Sequence, residues 1–413
     1  MAVEDNIPEG WVKSSIGELT YFVGEKISPT ELTVYNYIST ENLLSDKKGV
    51  VVSSNLPNVS KVNEFRIGDT LFSNIRTYFK KVWQANINGG SSNDVLIFRP
   101  LDESQLNKSY LYRIISSDLF IDFTVKTAKG TKMPRGDKNA MRLFPVNLPP
   151  LLEQKAIAKV LTAFDDKIEL LQAQNKTLET MAQTVFKEWF GKYQAGDEMP
   201  EGWIKYSLGE LVEIINGYSY KGKELVENSN EALVSLKSFD RNGGFQTRGF
   251  KPFLGNPKPE QEVKIGDLVV AHTDLTQDAE VLGNPAFIFD NGGFEQMYIT
   301  MDLVKVVSKH REVGLSFLYY LMKDRYFKGH CIGYSNGTTV LHLSKKAIPE
   351  YELYLPTDFD LIQRFTKIAD DTTNKISLNI QVIKTLTKTR DTLLPKLMSG
   401  QVRVKNIKQT ADA

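Results

Sequence analysis

Cysteine is nearly absent: Cys331 stands alone in 413 residues. That excludes an internal disulfide framework and any cysteine-based metal cluster, and it fits a reducing, cytoplasmic setting. Charge imbalance is also missing. Fifty-one Lys and Arg face fifty Asp and Glu, for a net charge of +1, so affinity for an anionic polymer has to come from local patches. No run approaches the ~20 apolar residues of a membrane span. The opening "MAVEDNIPEGW" lacks the basic-then-apolar pattern of a secretory signal. A soluble, cytoplasmic protein without a membrane partner is expected. Hydrophobic residues at 41% and charged residues at 24% are ordinary for globular domains, and the length suggests roughly two to four of them.

Catalytic signatures are missing too. "GYSYKGKE" (Gly217–Glu224) has the G-x-x-x-x-G-K spacing of a phosphate loop, but Glu224 stands where a magnesium-binding hydroxyl is required. A carboxylate there repels phosphates, so a polar turn is the better reading. The histidines His272, His310, His330 and His342 show no H-E-x-x-H spacing. His330 beside Cys331 reads as packing, because adjacent residues rarely face each other. "NLPP" (Asn147–Pro150) only resembles the Asn/Asp-Pro-Pro-aromatic motif of an amino-methyltransferase. No acidic pair has the context of a nuclease or glycosidase site.

What is present is a repeat. "PEGWVKSSIGEL" from Pro8 returns as "PEGWIKYSLGEL" from Pro200, with nine of twelve letters identical. "RIGDTLFS" (Arg66–Ser73) returns as "KIGDLVVA" (Lys264–Ala271), and "KGTKMPRGDKNAM" (Lys129–Met141) as "NGTTVLHLSKKAI" (Asn336–Ile348). Duplication with divergence explains the conserved order and the drifting offset. Within each half, β-rich runs such as "VLIFRP" and "DLVVAH" alternate with turn residues. Helical spacing appears in "SYLYRIISSDLFIDF" and "GLSFLYYLMKDRYF". Each half is therefore expected to be a mixed α+β domain closed by a Leu-Pro element.

After each Leu-Pro element a long apolar seam begins. In the first copy it runs Ile157, Leu161, Phe164, Ile168, Leu171, Asn175, Leu178, Ala182, Val185, Trp189. In the second it runs Phe365, Ala369, Thr372, Ile376, Asn379, Ile383, Leu386, Arg390, Leu393, Leu397. Steps of four and three are the signature of a coiled-coil seam. A parallel pairing by repeat register sets Asn175 and Asn379 against apolar residues, leaving buried amides unsatisfied at about 1–3 kcal/mol each. An antiparallel pairing sets Asn175 opposite Asn379, Ile157 opposite Leu397, Leu161 opposite Leu393 and Trp189 opposite Phe365. The exception is Phe164 against Arg390, where a guanidinium can stack on a ring. An intramolecular antiparallel coiled coil is expected, with Asn175 and Asn379 as its register pair. Such a seam is about 50 Å long, a spacer between two domains.

The remaining chemistry lies in polar and basic loops. In the first half, "VKTAKGTKMPRGDKN" carries Lys126, Lys129, Lys132, Arg135 and Lys138, with Asp137 its one acid. "SNIRTYFKKV" adds Asn74, Arg76, Tyr78, Lys80 and Lys81. In the second half, the candidates are Arg241, Gln246 and Arg248, then His272, Asp274 and Gln277, then Tyr334, Asn336, Thr338, Thr339, His342, Lys345 and Lys346. Lys and Arg neutralise phosphates. Arg, Asn, Gln and Asp match the donors and acceptors of base edges. For any single residue a solvated surface is the alternative; the Lys126–Lys138 cluster points to nucleic acid. Arg76, Lys132 and Arg135, and Arg241, Thr338 and His342, are the leading candidates for reading two separate sites.

The order of PEGW start, variable domain, "LPPLLEQKAIAKVLTAFDDKIELLQ" and long helix, twice over and ending in "LLPKLMSGQVRV", resembles the specificity (S) subunit of type I restriction–modification systems across the whole chain. Pro149, Pro150, Glu153 and Gln154 match the family's Pro-Pro-x-x-Glu-Gln helix opening. The second copy keeps Pro356 and Gln363 but loses the second proline. The resemblance implies target recognition domains at 1–150 and 193–356, spacer helices at 151–192 and 357–400, and a tail at 401–413. It implies double-stranded DNA as ligand, read as a bipartite target, with docking of two modification (methyltransferase) subunits and of restriction subunits. It implies no catalysis by this chain, with S-adenosylmethionine, ATP and magnesium held by the partners. A standalone DNA-modifying enzyme and a purely structural coiled-coil adaptor are the alternatives.

Overall fold

The computed structural model describes residues 7–193, 197–239 and 244–404. Two compact units divide the chain: Met1–Ile168 with Thr385–Ala413, and Glu169–Lys384. The division falls within both long helices, Leu151–Phe190 and Asp360–Met398. Each unit therefore holds one domain and one half of each helix, which differs from a purely sequential partition.

In the first unit, one antiparallel sheet has the strand order Thr20–Phe22, Val95–Pro100, Thr70–Ser73, Val82–Gln84. Its centre is wholly buried, and the Phe72, Phe98 and Phe120 rings meet edge to face on one side of it. A second sheet orders Lys26–Ile27, Val62–Phe65, Gly89–Ser91, Tyr37–Ile38. In the second unit, Val212–Asn216, Leu303–Ser308, Leu268–Ala271 and Pro285–Phe287 repeat the first pattern. Lys251–Pro252, Glu231–Val234, Gln296–Ile299 and Glu262–Val263 form the other sheet.

The PEGW element opens the strand that closes each domain. Val12–Ser15 pairs antiparallel with Pro145–Leu148, and Trp203–Ser207 with Glu352–Pro356. Each closing strand passes into a one-turn helix with a capping box, Ser15 with Glu18 and Ser207 with Glu210. Trp11 is buried; Trp203 is half-buried against Phe190 and Tyr193.

The two helical stretches expected from periodicity are each a pair of helices. Lys108–Ile115 ends before Ser117, whose hydroxyl accepts from the Phe120 N–H and starts Asp118–Lys126. Leu315–Met322 is likewise separated from Arg325–Gly333 by the N-cap Asp324. Apolar spacing carries across such a break, while a cap ends one hydrogen-bond ladder and begins another.

The long helices run antiparallel. In the first unit, Ile157, Ala158 and Leu161 share a core with Leu393 and Leu397. In the second, Ala182, Phe186 and Phe190 share one with Ile362, Phe365 and Ala369, and the Trp189 and Phe365 ring centroids lie 6.3 Å apart. All twenty seam positions are buried or half-buried. Asn379, 2% exposed, donates its side-chain amide to Asn175 Oδ1 at 2.7 Å and to Gln174 Oε1 at 3.1 Å. The Phe164–Arg390 layer differs from expectation. Arg390 directs its guanidinium to Asp165 Oδ1 (2.7 Å) and Asp391 (2.8 Å), because a carboxylate in reach outcompetes a ring face. Arg113 holds the other oxygen of Asp165.

The Pro-Pro-x-x-Glu-Gln residues are joints. Glu153 accepts from Trp11 Nε1 (3.0 Å) and from Arg403 Nε (2.6 Å) and Nη2 (2.8 Å). Arg403 also covers the Trp11 ring. Gln154, fully buried, accepts from the Asn107 N–H and donates to the carbonyls of Gln105 and Pro149. Its second-copy match, Gln363, is exposed. Gly400 turns the chain after the second helix at φ +73, and a Cβ there would lie 2.3 Å from Pro8.

Candidate nucleic-acid interface

Two basic loops of the first domain meet, one following the strand Thr70–Ser73 and the other the helix Asp118–Lys126. Ile75 and Arg135 form an isolated antiparallel bridge, as do Lys129 and Arg135. The Arg76 N–H donates to the Pro134 carbonyl (2.8 Å), and the Gly136 N–H to the Asn74 carbonyl (3.1 Å). Residues some 60 positions apart (Asn74 to Pro134) are thereby stitched into one ridge. The loops cross closely at Gly136, where a Cβ would lie 2.2 Å from Met141 Cε and 2.8 Å from Asn74 Oδ1.

On this ridge the candidates fall into four groups. Arg76, Lys132 and Lys138 make no ion pair among the described residues; Lys132 and Lys138 are exposed and Arg76 is half-buried. Lys138 lies 5.9 Å from the Phe22 ring centroid. Lys80, Lys129 and Arg135 are each held by a carboxylate: Asp118 (2.9 Å), Asp137 (2.5 Å) and Asp94 (3.0 Å). Asp137 is the one acid visible within the loop; Asp94 and Asp118 arrive from elsewhere in the fold. Asn74 and Lys81 point inward. Asn74 is 9% exposed and its Oδ1 lacks a partner among the described residues. Lys81 donates to the Thr40 carbonyl, and burial lowers its ammonium below the ordinary lysine value. Tyr78 is exposed, beside an equally exposed Phe79.

The second domain joins the matching loops with a small sheet. Thr273–Asp274 pairs with Leu341–Leu343, which pairs with Ser335–Asn336. His342 stands opposite both Thr273 and Asn336. Gln277 Nε2 donates to the Thr338 carbonyl at 2.7 Å, tying the two loop tips together. Asp274, 2% exposed, accepts from the N–H groups of Thr276, Val281 and Leu282 and from the Thr276 hydroxyl. It organises its loop from within. Asn336, Thr338, Thr339, His342 and Lys345 are exposed. His272 is half-buried; burial, reinforced by His342 and Lys345, holds its imidazole below the ordinary histidine value. A cavity of about 290 Å³ lies beside His272, Ser344, Lys345, Lys309 and Asn216.

Gln246 and Arg248 lie on a separate turn, where Gln246 Nε2 donates to the Lys237 carbonyl. No hydrogen bond or ion pair among the described residues joins that turn to the Ser335–Leu343 hairpin. Arg241 lies outside the described residues.

The enzyme-like motifs are structural. Glu224 accepts from the Lys221 N–H (2.6 Å) and the Tyr218 hydroxyl (3.0 Å), which fixes its turn. Cys331 is fully buried, and burial pushes its thiol up to about 12. His330 bonds to the Ala347 carbonyl and stacks on Tyr334. Among the described residues, no helix is long and apolar enough to cross a membrane.

Fold and site together define a recognition scaffold: two variants of one domain, each presenting a stitched loop ridge, carried on antiparallel helices. Residues 8–180 match the family described as the type I restriction modification DNA specificity domain. The chain is 27% identical to the type I restriction enzyme MjaVIII specificity subunit of Methanocaldococcus jannaschii, over 72% of this chain and 71% of that protein. It is 23% identical to the HindI specificity subunit of Haemophilus influenzae, over 95% and 99%. In fold it is similar to the crystal structure of a type I restriction–modification S subunit from M. genitalium, with a TM-score of 0.60 at 19% identity, covering 96% of this chain and 98% of that one. Residues 8–180 thus carry a match to the type I restriction modification DNA specificity domain, and the chain is similar to type I restriction enzyme specificity subunits over most of its length.

Proposed function

We propose that this chain reads a bipartite DNA sequence for a type I restriction–modification complex, one half-site with each domain. The observation that carries the reading is the stitching of two distant polar loops into a single ridge, once in each domain. An isolated flexible loop loses entropy on binding; a ridge held by backbone hydrogen bonds has already lost it. Unpaired Arg76, Lys132 and Lys138 supply phosphate contacts. Asn336, Thr338, His342 and Gln277 supply polar donors and acceptors suited to base edges. The ridges differ in charge and composition, as two different half-sites require.

Catalysis belongs to the partners in this reading, and S-adenosylmethionine, ATP and magnesium with them. Two modification subunits dock on the two similar halves, and restriction subunits join that assembly. Leu378 and Val382, one turn apart and exposed on the second long helix, and Leu170 and Met181 on the first, are apolar surface available for docking.

The test is methylation mapping in cells carrying the modification subunit, with and without this chain. The expected result is one asymmetric motif of two short blocks with a fixed gap, present only with the chain. Exchange of residues 336–343 for another polar loop changes one block and leaves the other. An unchanged motif, or a change in both blocks, overturns the division of labour.

A further inference from the structure

Four of the five non-glycine residues with positive φ in the described chain lie in the first domain: Asp46 (58°), Lys47 (61°), Arg76 (48°) and Lys80 (53°). They converge, since the Lys47 N–H donates to the Lys80 carbonyl at 3.0 Å and the ammonium groups of Lys47 and Lys80 both reach Asp118 Oδ1. Left-handed backbone is unfavourable for such residues and persists where surrounding contacts impose it, commonly at functional sites. Here Arg76 and Lys80 bracket one 3-10 turn, Thr77–Phe79. Thr77 points inward. Tyr78 and Phe79 point outward, 48% and 40% exposed, with ring centroids 4.7 Å apart. Beside them the opposing loop presents Met133, 50% exposed, next to Pro134, whose carbonyl anchors Arg76.

Three exposed apolar side chains on a rigid, strained mount are costly in water and need a partner surface. Unpaired Arg76 and Lys132 flank them, which argues for a polyanion with flat apolar faces. We propose that Tyr78 and Phe79 form an aromatic wedge that stacks on a base step of duplex DNA and opens it, with the flanking cations on the adjacent phosphates. The inference rests on the DNA-reading function proposed above and adds a mode of contact. It is one-sided. In the second domain the loop between the matching strands, residues 272–284, is longer and contains no Phe, Tyr or Trp; its exposed large apolar side chain is Leu275. The DNA is therefore distorted in one half-site and not in the other.

The experiment uses the full chain assembled with its modification subunits and a duplex bearing the mapped target. 2-Aminopurine is placed in turn at positions other than the methylated bases. The expected result is a fluorescence rise at one step in one half-site. Tyr78→Ala with Phe79→Ala abolishes it and weakens binding about 5- to 100-fold, with the salt dependence of affinity unchanged. Tyr78→Phe keeps the rise. Both rings are exposed, so a thermal melt equal to wild type certifies the fold. Protection of the duplex without any fluorescence rise, or a rise that survives the double variant, overturns the wedge alone. If the double variant instead fails to assemble with its partner subunits, the rings belong to a protein contact and the wedge is overturned. A duplex that is never protected overturns the DNA-reading function and the wedge together.

Discussion

Asn379 donates its side-chain amide to Asn175 Oδ1 at 2.7 Å in the middle of a largely apolar seam. The pair satisfies itself only when the helices stand in this register, because a slip by one layer leaves each amide against an aliphatic neighbour. Asn175→Ala and Asn379→Ala are each expected to destabilise the chain, and a double-mutant cycle to return a coupling of about 1 kcal/mol. Denaturation of the four proteins measures it; zero coupling removes the register role.

Glu153 ties the start of the first domain to the end of the second helix through Trp11 and Arg403. Its carboxylate is nearly buried and holds one neutral and two charged donors. Glu153→Ala leaves the Trp11 N–H and the Arg403 guanidinium without it and should cost about 2–4 kcal/mol. Ending the chain before Arg403 should reproduce part of that loss, read as a lower thermal midpoint.

Arg76 and Lys132, with Lys138, carry the charge of the first ridge that is unpaired among the described residues. Each alanine substitution should lower the slope of log affinity against log salt by about 0.9 if the residue contacts a phosphate. Arg135→Ala should act differently, costing about 1–3 kcal/mol and relaxing one base position if it leaves Asp94 for a base edge. Titrations at several salt concentrations on matched and singly mismatched duplexes separate the two behaviours.

Gly136 sits where the two loops cross. Gly136→Ala drives a methyl into Met141 and Asn74, so it should loosen the ridge and weaken specific DNA binding more than binding to random duplex. Competition between specific and random DNA reads the difference.

His272 is held neutral by burial, with His342 and Lys345 adding to the effect. Its folded-state pKa lies below the unfolded value of about 6.5. As pH falls below that value the unfolded chain takes up a proton that the folded chain resists, so stability drops. His272→Gln should flatten the pH dependence of the thermal midpoint from about 6.5 downward and leave it unaltered at pH 8.

The repeat, the α+β class and the helix pair were legible in the sequence because each rests on local order: a copied string of letters, an alternation of apolar residues, a seam stepping by four and three. The loop candidates were legible only as composition. That Asn74 faces inward, and that Lys80 and Arg135 are already paired, depends on Asp118 and Asp94, which sequence proximity does not bring near.

The sequence alone determined what each segment becomes, because helix and strand follow from periods of a few residues. Only the tertiary structure decided which loops share a surface, which cations remain unpaired, and that Arg76 and Lys80 are bent into left-handed backbone to turn Tyr78 and Phe79 outward. Those outcomes depend on contacts between residues tens of positions apart, and no local period encodes them.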